Sequence, residues 1–335
     1  MFERLTPLAA LGLALAVGSA SPTRADPVKI RIAWVVAPAA LSPILFAPPG
    51  VAPHLGKSYS FDPINITASP QHITAIAAGE IEIAALNFAS FPLAIQNAGL
   101  TDLRIICDEL QDGHDGYYTT HYMVRNDSGI TAPAGLKGKV IAVNGLGTGV
   151  DMAMRAEMLK SGLHFPGDYT IVEVPFPTMA AVLNDKKADL ITAAVPFVYG
   201  PELEKNAHTL FTMKDALGGA ELSFWVMRDS FIKAHRAAVV DLLEDTVRAY
   251  RWYYDPKNHA AVVDIVAKFT KRPAEQLDWV FTQKDNWRNT DGLVNLDELQ
   301  HNEDTVYQLG FIKKPIKVAD YADLSLVKEA AARIK

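Results

Sequence analysis

Asn144-Gly145-Leu146-Gly147-Thr148-Gly149 stands between an apolar run and a helix-like segment. A glycine-rich turn feeding a helix can present backbone N–H groups, and Thr148 adds a hydroxyl. Gly147, Thr148 and Gly149 are therefore candidates for holding an oxyanion. The turn is not a nucleotide phosphate loop, because no Gly-Lys-Ser/Thr follows it. Asp151 already favours the positive end of that helix and is read as its cap, the alternative being a reader of a cationic group.

Other candidates sit just past apolar runs, where polar groups can meet a ligand's head group. Asn87, Phe88 and Ser90 follow one run, and Pro196 and Phe197 follow another. Trp34 and the segment down to Ser42 offer an aromatic wall and a hydroxyl. His72, at a helix start, could donate to an anion. Tyr117, paired with Tyr118, could line a cleft or stiffen a hinge. Trp252-Tyr253-Tyr254 reads as packing.

Nucleophilic and metal chemistry find little support. Neither a Gly-x-Ser-x-Gly elbow nor a His-Glu-x-x-His helix occurs. The single cysteine, Cys107, follows the apolar run Leu103 to Ile106 and reads as a core thiol. His114 and His121, with Asp112 and Asp115 near them, make a weak metal set. No enzyme activity, cofactor or metal is expected. The chain has 335 residues, 49% hydrophobic and 21% charged, with 32 basic and 38 acidic side chains giving −6. Length and composition fit a two-lobed globular protein. The absence of a basic stripe argues against nucleic acid as a partner.

The elements that must position these residues alternate. Residues 1–25 read as a secretory signal: a short head, an uncharged stretch from Leu8 to Val17, then small residues, with cleavage expected after Ala25 or Ala20. The apolar stretch is too short to span a bilayer. Beyond it, Val28 to Trp34 alternates as a strand. A helix over 71–78 stops at Gly79, and a strand follows over 80–86. Lys139 to Val143 is a strand, a helix begins near Asp151, and Tyr169 to Val174 is a strand. Thr178 to Asp185 is a helix and Ala188 to Val195 a strand, so the chain reads as parallel βαβ units. Helices at 239–254, 259–269 and 296–309 complete the chain.

Two stretches repeat one another. Ala77-Ala78-Gly79-Glu80-Ile81-Glu82-Ile83 parallels Asn184-Asp185-Lys186-Lys187-Ala188-Asp189-Leu190. Each is a helix end, a turn, and an acid between apolar strand positions. Each strand then runs into a candidate loop, and in open α/β sheets ligands bind beyond the carboxyl ends of strands. Two such lobes with facing loops make a cleft.

The order of several segments resembles the periplasmic solute-binding proteins of ABC importers, in the nitrate/sulfonate/taurine group. The pieces are Ala78 to Ala84, Val124-Arg125-Asn126-Asp127-Ser128-Gly129-Ile130, Leu136 to Val143, Arg228-Asp229-Ser230-Phe231-Ile232 and Leu309 to Ile316. The resemblance implies an α/β fold of the type II periplasmic-binding class, with two hinged lobes, 27–115 plus 225–335 and 116–224. It implies a periplasmic monomer that captures a small organic anion and delivers it to an ABC transporter permease. An alternative is an exported module of the same fold that presents its ligand to a receptor. Two departures bear on the ligand. Leu146-Gly147 stands where relatives have a serine or glycine pair, and Ala194-Val195 replaces a Trp-Glu pair. Alkyl or aromatic sulfonates are expected first, then small carboxylates, nitrate and pyrimidines.

Overall fold

The computed structural model describes Met1 and residues 26–334, apart from 115 and 118. The signal expected at 1–25 falls, from residue 2 on, outside the described residues, as do Asp115 and Tyr118. From its N-terminal side the chain forms β1 (Val28–Trp34), β2 (Tyr59–Asn65), α1 (Ser69–Ala77), β3 (Ile83–Leu86), α2 (Ser90–Gln96) and β4 (Leu103–Asp112). It continues through β5 (His121–Arg125), β6 (Val140–Val143), α3 (Gly149–Lys160), β7 (Thr170–Glu173), α4 (Met179–Asn184) and β8 (Leu190–Ala193). Then come α5 (Pro201–Asn206), β9 (Ala207–Thr212), α6 (Met213–Leu217) and β10 (Ala220–Arg228). The chain ends in α7 (Asp229–Tyr254), α8 (His259–Thr270), α9 (Leu296–Gln308) and α10 (Ser325–Arg333).

The strands make two five-stranded sheets with one plan. Their orders are β2-β1-β3-β10-β4 and β7-β6-β8-β5-β9. β1 is parallel to β2 and β3, and β6 is parallel to β7 and β8. β10 and β5 run antiparallel to their neighbours, so the sheets are mixed where wholly parallel units were expected. The reason is topological: β10 and β5 are the strands by which the chain enters each lobe from the other one. All of β10 pairs in the first sheet, so a boundary at 224/225 would cut through one strand.

Local sequence accounts for the elements that hold the loops. In β1, Ile30 and Ile32 are fully buried while Lys29 faces water. Burial of each such side chain contributes roughly 1.5–3 kcal/mol, and a one-residue slip would expose both. β3 and β8 are buried along their whole length, as suits parallel strands covered on both faces. α1 starts two residues before the expected Gln71, with Pro70 in its first turn, where a missing N–H costs nothing. The strand expected over 80–86 begins only at Ile83, because residues 80–82 complete the turn. α7 begins ten residues before the expected Val239. It is two helical pieces meeting at His235, whose backbone is non-helical, and the apolar stripe belongs to the second piece.

That stripe (Val239, Val240, Leu242, Leu243, Val247, Tyr250) is fully buried against the first sheet's core. Tyr253 donates to the Ile44 carbonyl (2.5 Å) and Tyr254 to that of Asn286 (2.9 Å), so these aromatics pack. Among the described residues no helix is long and apolar enough to cross a membrane.

Candidate ligand-binding cleft

The loops beyond β1, β3, β6 and β8 meet around a hollow of about 100 Å³. A single ordered water needs roughly 10–15 Å³, so the space suits a small organic molecule. Val35, Val36, Asn87 and Glu109 wall it from the first lobe; Asn144, Thr148, Phe176 and Ala194 wall it from the second. Most of the wall is apolar, with a few convergent polar groups, as in ligand sites generally. Among the described residues no Lys, Arg or His lines it.

The turn ahead of α3 is built largely for itself. Thr148 is the helix N-cap and its hydroxyl accepts the Asp151 N–H at 3.3 Å. The same hydroxyl donates to the Gly145 carbonyl at 2.8 Å, so its proton is committed within the turn. Asp151, fully buried, accepts the Gly147 N–H at 2.9 Å and pairs with Arg155 at 2.8 Å. Burial still pushes the Asp151 carboxyl up. Asp151 is thus a cap, and the Gly147 amide offered as an oxyanion donor is occupied. What remains on the hollow's wall is Gly149 and Val150, whose N–H groups no intrahelical carbonyl can reach, and Asn144. The Asn144 amide nitrogen has no hydrogen-bond partner among the described residues, while its oxygen accepts from Thr148 at 3.1 Å.

Opposite, the Asn87 carboxamide oxygen accepts the Ala89 and Ser90 N–H groups at 3.0 and 2.8 Å. Its nitrogen donates to Ser69 Oγ at 3.0 Å, which leaves the Ser69 proton for a ligand. Ser90 accepts the Asn87 N–H at 3.0 Å and lies behind the wall, fully buried. Near the crossing, Asp112 accepts the Thr119 and Thr120 amides, each at 2.9 Å, and Thr119 donates to Asn286 at 2.5 Å. Thr120 and Asn286 also line the hollow.

Glu109 on β4 is a wall residue that the sequence reading missed. It is 2% exposed and takes hydrogen bonds from Ser223 Oγ (2.5 Å) and Trp225 Nε1 (3.3 Å), both on β10. Burial pushes its carboxyl above the ordinary range, against those two bonds and the charge of Arg288. The only signal for it in the sequence is Asp108-Glu109-Leu110-Gln111-Asp112, three acids directly after an apolar run.

Of the sequence candidates, Asn87, Thr148 and Gly149 line the hollow. Trp34 does not: its ring packs on Phe269 at 6.0 Å, and Val35 and Val36 take the wall. Ser42 is buried behind the loop of Ala39 and Ala40. His72 is fully buried with its ring nitrogens each 2.9 Å from a carbonyl, Ala85 on one side and Ile66 on the other, so neither serves an anion. Phe88 is a core residue against Gly149. Tyr117 is half-buried in the crossing loop, its backbone bonded to Gly113 and His114. Phe197 stacks behind Phe176 with Arg272 over its ring, and Pro196 sits beside it off the wall, which Ala194 and Val195 supply.

Cys107 is fully buried in β4, and burial pushes its thiol well up, away from nucleophilic use. His121 contacts Thr209 at 3.0 Å, and the His114 ring lies tilted against that of Trp287, with centroids 4.1 Å apart. A different trio, His54, Asp241 and Glu244, has ligand atoms within 4.8 Å of one another among the described residues. Arg333 already sits 3.0 Å from Asp241, and Arg248 lies 2.7 Å from Glu244.

No curated protein matches the sequence significantly. Solved structures share its fold. The alkanesulfonate-binding protein SsuA from Xanthomonas axonopodis pv. citri, bound to MOPS, superposes with a TM-score of 0.70 at 18% identity, covering 90% of this chain and 99% of that one. The periplasmic nitrate-binding protein NrtA from Synechocystis PCC 6803 gives 0.69 at 15%, covering 93% and 90%. The desulfurization enzyme DSZB gives 0.62 at 15%, covering 92% and 100%. These likenesses establish the two-lobed periplasmic-binding fold, which also carries an enzyme. The NMT1-like family model matches residues 24–267, and that span takes in every strand of both sheets. The chain belongs to the NMT1-like family.

Proposed function

We propose that this protein is an extracytoplasmic solute-binding protein that encloses a small organic molecule between its lobes and delivers it to an ABC permease. The observation that carries the reading is the hollow itself: both lobes wall it, at the carboxyl ends of their strands, with a few polar groups and one acid, Glu109, on an apolar surround. The one thiol lies buried in the sheet, and binding, with no covalent step, is the role these residues fit. A ligand touching both lobes favours the closed arrangement by its differential affinity. The lobes are taken as 27–115 plus 220–335 and 116–219, with the protein monomeric and periplasmic once a leader ending near Ala25 is removed.

An alkyl or aromatic sulfonate remains the first ligand class, ahead of a small carboxylate, nitrate or a pyrimidine. Its oxygens would meet Asn144, Ser69 and the first-turn amides of α3, and its body the walls of Val35, Val36 and Phe176. Neutral donors suit a singly charged head group; a doubly charged one would call for arginine. A thermal-shift screen of the chain from residue 26 against these classes tests the reading. A ligand that binds only the folded state raises the melting temperature, and the hit should weaken in Asn144→Ala and Asn87→Ala. No response to any class, in protein free of co-purified ligand, would turn the assignment to a module that docks a receptor.

A further inference from the structure

Among the described residues the hollow has one ionisable wall residue, and it is an acid. Glu109 reaches the wall from β4, the strand leading into the first crossing, and is bonded to Ser223 on β10, the strand returning from the second. Trp225 Nε1 can only donate, so the carboxyl oxygen it meets is an acceptor. The buried ionisable groups around this wall are mostly acids as well. Asp108, Asp112, Glu221 and Asp285 are all within 1% of complete burial, and the buried cation nearest them is Arg288. Arg288 does not line the hollow: its guanidinium donates to the Pro38 and Ala39 carbonyls and to the Tyr254 hydroxyl, and only its charge reaches Glu109. Low-dielectric walls concentrate such a field, so this end of the hollow repels a bare anion and attracts a positive or N–H-bearing group.

Resting on the solute-binding reading above, we propose that Glu109 selects a ligand bearing an amino group: a small ambipolar solute, with an ammonium or amino N–H on Glu109 and its oxygens towards the second lobe. An amine-free anion would set its charge against the Glu109 carboxyl, while an ammonium both bonds and neutralises it.

Matched pairs that differ only in the amine test this: taurine against ethanesulfonate, and β-alanine against propionate, titrated by calorimetry into wild type and Glu109→Gln. Gln keeps an oxygen for Trp225 and an amide to donate to Ser223, so the variant should fold, and its unliganded melting temperature verifies that. A charge-assisted hydrogen bond contributes about 1.5–3 kcal/mol, so the amino member should bind roughly tenfold or more tightly in wild type. That preference should vanish in Glu109→Gln. Equal or tighter binding of the amine-free members in wild type overturns the role of Glu109 and leaves solute binding intact. Failure of every member to bind wild type overturns the role of Glu109, and no response in the wider screen above overturns solute binding with it.

Discussion

Glu82 and Asp189 hold the same post in the two lobes. The Glu82 carboxylate accepts the Arg31 backbone N–H of β1 at 2.7 Å, and that of Asp189 accepts the Val140 N–H of β6 at 3.0 Å. In each sheet an acid just ahead of one central strand ties down its parallel neighbour, fixing the register of the two strands whose ends carry ligand loops. Glu82 does more, because it also holds the Arg31 guanidinium through Nε (3.0 Å) and Nη2 (2.5 Å). Asp189→Ala should lower unfolding stability by about 1–2 kcal/mol and Glu82→Ala by rather more, since the latter also strands a half-buried guanidinium. Urea denaturation of both variants measures the difference, and equal losses would show that the Arg31 pair contributes nothing.

The turns before these acids match as well, with one exchange of residue. Gly79 and Lys186 both adopt left-handed backbone, φ +70° and +59°. Glycine takes that region without strain, whereas an L-residue there costs roughly 1–2 kcal/mol, partly offset by the extra freedom glycine has in the unfolded chain. Lys186→Gly should therefore stabilise by up to about 1 kcal/mol, and Gly79→Ala should destabilise by about 1 kcal/mol. Opposite signs in thermal denaturation are the expected result.

Asp108 and Glu221 form a buried carboxyl pair joining β4 to β10. Asp108 accepts the Asn289 N–H at 2.7 Å and Glu221 that of Asn295 at 2.9 Å, while the other oxygen of each lacks a donor. One shared proton satisfies both. Burial pushes Asp108 up to about 6 and Glu221 well above its ordinary value, with Glu298 adding repulsion and Arg288 drawing Asp108 down. Raised pKa values mean that the folded state binds protons the unfolded chain releases above roughly pH 4. The pair's contribution is complete below that pH and is lost as pH rises through 6. Wild type should melt several degrees higher at pH 5 than at pH 7.5. Glu221→Gln, which supplies the proton as an amide, should flatten that slope and match or exceed wild type at pH 7.5.

Much of this was legible in the residues, and what escaped has a physical cause. Val28 to Trp34 and Leu296 to Leu309 declare their periods because one face is wet. The paired turns at Gly79 and Lys186 declare the repeat. β4 declared only its apolar start, Leu103 to Ile106; Asp108, Glu109 and Asp112 beyond it are buried as well. The partners of Asp108 and Glu109, namely Asn289, Ser223 and Trp225, lie over a hundred residues away, and local pattern carries no trace of such pairings. The cleft candidates erred by one layer for a related reason. Strand ends located the loops, but which side chain faces the hollow depends on packing across lobes, so Trp34 went to Phe269 and the wall went to Val35 and Val36.

Gly145, Gly147 and Gly149 each face the other lobe. A Cβ at Gly145 would lie 3.1 Å from Ala68 Cβ, one at Gly147 3.3 Å from Leu93 Cδ1, and one at Gly149 3.1 Å from Leu222 Cδ1. The turn ahead of α3 therefore meets the first lobe backbone against side chain, so closely that an added Cβ would push its neighbour back by a few tenths of an ångström. Gly145 is the clean probe, because it does not require left-handed backbone, unlike Gly147. Gly145→Phe should leave each lobe folded while wedging them apart. Small-angle scattering should give a larger radius of gyration, and ligand affinity should fall at least tenfold, since a ligand held by one lobe alone forfeits the contacts of the other. A compact Gly145→Phe protein with undiminished affinity would mean that the lobes need not approach this closely to hold their ligand.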